Sequence, residues 1–149
     1  MTKDEFQVTE SILFAYPEVC RALDQRREYL ISLALTRNPG DHVQGGTGLT
    51  AIERFADGDK ESRNLQAIID RVIGCLEKLR AEEGEFVRKY YFERAGVYAF
   101  DQVETLIFRK RQKICDKLLG VMSVYGLLRG WRDVEKKRML DAAKKRGAL

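Results

Sequence analysis

The residues best placed to do chemistry lie together between positions 109 and 117. Arg109, Lys110, Arg111, Gln112, Lys113 and Lys117 put five cations within nine positions. Lysine and arginine neutralise phosphates and release their counterions, and an arginine fork also matches guanine O6 and N7. Gln112 has the amide donor and acceptor that adenine N7 and N6 call for. Such a segment binds polyanions, and double-stranded DNA is the expected partner. The plainer alternative is a surface helix whose basic side chains meet only water. Arg129 and Arg132, farther along, are expected as secondary phosphate contacts.

Other chemistries lack their residues. His42 is the single histidine, and no ligand partner stands near it in sequence. Cys20, Cys75 and Cys115 are odd in number and widely spaced, which suits neither a disulfide framework nor a zinc site. Each falls in a helical pattern, where a buried thiol packs as a small hydrophobe. The glycine-rich stretch Gly40 to Gly48 lacks the lysine and the preceding strand of a phosphate loop, and reads as a flexible linker. Glu82, Glu83 and Glu85 crowd a turn where solvation accounts for them. The expectation is a protein that binds rather than catalyses, with no cofactor and no metal.

Charge is distributed unevenly. The whole chain of 149 residues carries a formal +4, but residues 1–105 hold 14 cations and 19 acids, whereas residues 106–149 hold 13 cations and four acids. The two parts therefore differ in sign, −5 against +9, which directs a polyanion to the C-terminal third. The longest apolar run, Leu118 to Leu128, falls short of the roughly 20 residues of a membrane span. The acidic start Asp4-Glu5 lacks the apolar core of a secretory signal. A reduced, cytoplasmic protein, not associated with membrane, is expected.

The elements that must position the basic run are helical. Only two prolines interrupt the chain, Pro17 and Pro39. A short helix over Val8–Ala15 is expected to end at Tyr16-Pro17, and a second to run from Pro17 to Arg37, stopped by Asn38-Pro39-Gly40. Thr50-Ala-Ile-Glu53 is a capping box that opens a third helix, with Asp57-Gly58-Asp59 as a bend or break. Leu65, Ile69, Val72, Leu76 and Leu79 form the clearest stripe. It needs burial either on the Pro17–Arg37 helix or, as the sharper alternative, in a homodimer seam. Glu85 to Arg94 buries Phe86, Val87, Tyr90 and Tyr91, and Ala95-Gly96-Val97 turns the chain. Two short helices are expected next, Tyr98 to about Ile107 and Arg109 to about Leu119. Gly126 and Gly130 loosen the chain around Trp131 before a basic helix from Asp133 to Lys145. The order from Glu83 onward suits a helix-turn-helix whose second helix enters the major groove.

At this point the chain resembles the ArpU/RinA-type late-gene transcriptional regulators of phages and prophages. The resemblance covers about residues 8 to 128. It rests on Glu10-Ser-Ile-Leu-Phe-Ala-Tyr-Pro17, the glycine-rich loop leading to Thr50-Ala-Ile-Glu53, and the Leu65–Leu79 helix. That helix runs into Leu79-Arg-Ala-Glu-Glu-Gly-Glu-Phe-Val-Arg-Lys-Tyr-Tyr-Phe92. The stretch Leu106-Ile-Phe-Arg-Lys-Arg-Gln-Lys-Ile114 departs from the family, because it lacks the Ser and Thr that usually cap the recognition helix. The resemblance implies an all-α fold: a helical bundle with a C-terminal sigma-like helix-turn-helix, in the cytoplasm of a bacterial host cell. The chain is expected to divide into a helical scaffold that is also the candidate dimerisation region (1–80, with the loop 38–49), a DNA-binding region (81–128) and a basic C-terminal helix (129–149). RNA polymerase is then a second expected partner. The competing function is a helical adaptor that docks on the transcription machinery or on another phage protein.

Overall fold

The structure is a computed structural model that describes residues 1–37, 58–100 and 102–147. The linker Gly40–Gly48, His42 and the Thr50–Glu53 capping box lie outside the described residues. Every regular element among the described residues is helical, so the chain is all-α. In chain order these are α1 (Lys3–Arg37), α2 (Lys60–Leu76), α3 (Ala81–Val87), a π turn (Arg88–Phe92), a 3₁₀ turn (Val97–Ala99), α4 (Glu104–Lys117), a second 3₁₀ segment (Leu119–Val124) and α5 (Tyr125–Lys145).

α1 is the backbone of the bundle. It opens on a reciprocal cap, with Thr2 N–H donating to Glu5 Oε1 at 2.8 Å and Glu5 N–H to Thr2 Oγ1 at 3.1 Å. The expected break at Pro17 does not occur, and α1 continues through it as one helix of 35 residues. An interior proline costs about 3 kcal/mol or more, because it deletes one helical hydrogen bond and crowds the preceding turn. Burial on both sides outweighs that cost. Ile12, Leu13 and Ala15 before the proline and Val19 and Leu23 after it are all buried, and each large aliphatic side chain contributes about 1.5–3 kcal/mol.

α2 begins at Asp59, the end of the sequence's Asp-Gly-Asp break, whose carboxylate accepts the Ser62 N–H at 3.0 Å. Its apolar stripe is buried inside the chain: Leu65, Ile68, Ile69, Val72 and Cys75 face α1 and the second 3₁₀ segment. One continuous core runs from Ile12 on α1, through Val72 and Tyr91, to Ile114, Leu128 and Trp131. It therefore draws on all three of the segments distinguished in the sequence.

Two boundaries differ from the sequence-based expectation in the region meant to carry function. The junction expected near Phe108 is absent, and α4 runs unbroken from Glu104 to Lys117. Nothing between Leu106 and Arg109 breaks a helix, and Ile107 and Ile114 are buried two turns apart on one face. The two short helices expected over Tyr98 to about Ile107 and Arg109 to about Leu119 are therefore replaced by a 3₁₀ turn at Val97–Ala99 and one continuous helix. A helix-turn-helix joins its two helices through a turn of about 3–4 residues, so the expected register does not apply. Gly126 and Gly130 likewise do not loosen the chain but lie inside α5. Each costs about 1 kcal/mol in a helix, and burial of Leu128 and Trp131 beside them offsets it.

Candidate functional site

α4 is oriented by its apolar side. Ile107, Ile114, Cys115 and Leu118 are each at most 1% exposed and hold the helix against α1 and the second 3₁₀ segment. Glu104 in its first turn and Lys117 in its last complement the helix dipole. With that face fixed, Arg109, Gln112 and Lys113 project outward and are exposed. They stand three and four positions apart, so they share one stripe. Asp116 is exposed one turn beyond them.

The remaining members of the basic run are engaged within the chain. Arg111 is two positions from Arg109 and so points across the helix. Its Nε and Nη2 donate to the two carboxylate oxygens of Glu10 on α1, at 2.8 and 2.7 Å. The Tyr91 hydroxyl donates to Glu10 Oε2 at 2.6 Å and lies 3.5 Å from Cys115 Sγ. The guanidinium also sits over three rings, 5.2 Å from Tyr90, 5.5 Å from Phe6 and 5.6 Å from Phe108. Its bond to Glu10 holds Arg111 firmly protonated, with its pKa raised further above the ordinary value. Burial pushes the Tyr91 hydroxyl well above its usual range and the Cys115 thiol up to about 12. The cluster locks α1, the π turn and α4 in register. The extra residue of the π turn is part of that arrangement, since it carries Tyr91 into the core.

Lys117 donates to Glu83 Oε2 at 2.7 Å, while the other Glu83 oxygen accepts the Arg80 N–H at 3.1 Å. These two donors, the lysine first, hold the Glu83 carboxyl below its ordinary pKa. Lys110 is half-buried, with its ammonium 5.0 Å above the Phe86 ring. On α5, Arg138 forms a fork with Glu61 at 2.9 Å, and Arg129 lies over the Tyr125 ring at 5.9 Å. Among the described residues, three cations of the C-terminal part, Arg111, Lys117 and Arg138, are thus paired with acids from residues 1–105. Part of the charge asymmetry is internal pairing between the two parts.

Of the eight residues the sequence nominates, Arg109, Gln112 and Lys113 come together on an open face. Arg111, Lys117 and Lys110 are engaged within the chain. Arg129 and Arg132 are exposed on α5, which packs mainly on α2 and the second 3₁₀ segment rather than on α4. Beside the open face stand Val103, Leu106 and Phe108, each more than 40% exposed. Glu10 is a functional partner that the sequence reading did not nominate. Its signal was present: it sits in the Phe6–Glu10–Leu13 stripe of α1, where a carboxylate requires a cation.

Among the described residues no group of three or more His, Cys, Asp or Glu is arranged to hold a metal ion. No helix among them is long and apolar enough to cross a membrane. Comparison of the chain with family models, with curated proteins and with solved structures finds no match.

Proposed function

We propose that this chain is a DNA-binding transcriptional regulator of phage or prophage type, with the outer stripe of α4 as its reading surface. The observation that carries the reading is the stripe itself. Arg109, Gln112 and Lys113 are exposed on a helix whose opposite side is anchored by four fully buried residues. A rigid helix with cations and an amide on its free side fits the width of the major groove. The contact set is narrower than the basic run as a whole, because Arg111 and Lys117 serve the fold. The reading does not require the short turn of a sigma-like helix-turn-helix, only that α4 be presented to the groove.

The test is fluorescence anisotropy on a mixed-sequence duplex at low salt. Loss of two charge-assisted contacts in Arg109→Ala/Lys113→Ala is expected to weaken binding at least about tenfold. Undiminished binding by that variant, or no binding by the wild type, refutes α4 as the reader.

A second reading is favoured by Val103, Leu106 and Phe108, which expose apolar surface on the same helix. It is a helical adaptor that docks on RNA polymerase or another protein. Val103→Ser/Leu106→Ser would then abolish partner capture while leaving duplex affinity unchanged.

A further inference from the structure

A groove of about 460 Å³ opens where α1, the π turn, the segment after it and the first half of α5 meet. Ser11, Phe14, Tyr90, Arg94, Gly96 and Arg132 line it. Two of these are arginines, two carry hydroxyls, and none is acidic. Other grooves among the described residues each include an acid, Glu61, Glu135 or Glu10. Arg132 is exposed and has no hydrogen-bond or ion-pair partner among the described residues. Arg94 donates through Nη2 to the Phe14 carbonyl at 3.3 Å, with its guanidinium 5.6 Å over the Phe14 ring. Those contacts orient its fork without neutralising it.

The backbone at Arg94 adds a second, independent observation. Its φ is +52°, the only positive value at a non-glycine position among the described residues. It closes the helical stretch, with the next N–H, that of Ala95, donating to the Lys89 carbonyl at 3.1 Å. Glycine is the usual residue in such a closure, and a side chain there costs about 1 kcal/mol or more. One long hydrogen bond and one ring contact, both to Phe14, are a small return for that strain. A guanidinium placed at the mouth of a groove that another unpaired arginine shares is a better reason for it.

We propose that this groove is a phosphate-binding site, in which Arg94 and Arg132 grip one phosphate group with the Ser11 hydroxyl as a further donor. Arginine forks match phosphate oxygens bidentately, and a groove of this size admits a ligand as large as a nucleotide. The phosphate belongs either to a DNA backbone that also lies along α4, or to a free phosphorylated small molecule. The site stands on its own residues and does not depend on α4 being a DNA reader.

The experiment follows the arginine Nε–Hε signals by ¹⁵N NMR. Inorganic phosphate replaces chloride at constant ionic strength, and a mixed-sequence duplex is titrated separately. Saturable movement of the Arg94 and Arg132 signals by phosphate is expected. Binding should weaken about tenfold or more in Arg94→Gly and in Arg132→Gln. Arg94→Gly suits the positive φ, so it removes the guanidinium without threatening the fold. If the duplex moves the same two signals and competes with phosphate, the bound group is a backbone phosphate. If phosphate moves them and the duplex does not, it is a free phosphorylated molecule, and the site stands even where DNA binding by α4 fails. Signals that do not move with phosphate, or variants that bind it as the wild type does, overturn the proposal.

Discussion

Replacing Arg111 by alanine should damage the fold before it damages any binding. The Arg111 side chain is 22% exposed and its partner Glu10 only 11%, joined by two short N–H···O bonds. Alanine would leave the Glu10 carboxylate buried with the Tyr91 hydroxyl as its remaining donor. Breaking a fully buried pair costs about 3–5 kcal/mol, and an exposed pair contributes about 1 kcal/mol at most. With about a fifth of the guanidinium in water, the expected loss is about 2–3 kcal/mol. The lost stacking on Phe6, Tyr90 and Phe108 falls within that range. For a domain of this size that corresponds to a Tm lowered by about 5–10 °C. Urea unfolding followed by circular dichroism reads the change as a shift of midpoint at constant slope. Arg111→Lys keeps the charge but not the fork, and should fall between alanine and wild type. A Glu10→Gln/Arg111→Met double variant should lose less than the sum of its single changes. An Arg111→Ala protein within about 0.5 kcal/mol of wild type would refute this reasoning and return Arg111 to the residues free to bind a partner.

Acid should unfold the protein partly through Glu83 and Asp59. The donors Lys117 and the Arg80 N–H hold the Glu83 carboxyl below its ordinary range, and Arg26 and Ser62 do the same for Asp59. A depressed folded-state pKa stabilises fully above the unfolded value and is lost as pH falls through the folded one. Stability should therefore decline below about pH 4.5, and Glu83→Gln or Asp59→Asn should flatten that decline in urea titrations at stepped pH. Cys115, with its thiol pushed up to about 12 by burial, should resist thiol reagents at neutral pH. Its labelling should track global unfolding in denaturant, and prompt labelling of the native protein at Cys115 would contradict the buried cluster.

The sequence was most legible where periodicity dominated. The Leu65–Leu79 stripe identifies the buried side of α2, and its hydrophobic residues are satisfied on α1 within the chain. The apolar and aromatic residues Phe86, Val87, Tyr90 and Tyr91 were recognisable as core-facing in the same way. Punctuation was less dependable. Pro17, Gly126 and Gly130 each have a local cost of about 1–3 kcal/mol, and burial of neighbours such as Val19, Leu128 and Trp131 overrides it. A reading of local propensity cannot weigh that tertiary term. The basic run was visible as composition, but its division into inward and outward residues was not. Arg109 and Arg111 differ only in which side of α4 they occupy, and that side is set by Ile107 and Ile114 and by a carboxylate about a hundred positions away, Glu10. Arg94 went unnoticed because its distinguishing property is a backbone angle, which no residue type announces.

The most direct test of α4 as a DNA-reading surface is the salt dependence of duplex binding, measured for wild type and for Arg109→Ala/Lys113→Ala. Each phosphate contact contributes about one unit to the slope of log affinity against log salt. A DNA-reading α4 gives a steep slope for the wild type, reduced by about two units in the double variant while its urea midpoint stays unchanged. Equal slopes in two equally stable proteins would contradict it and remove the outer stripe of α4 from the DNA interface.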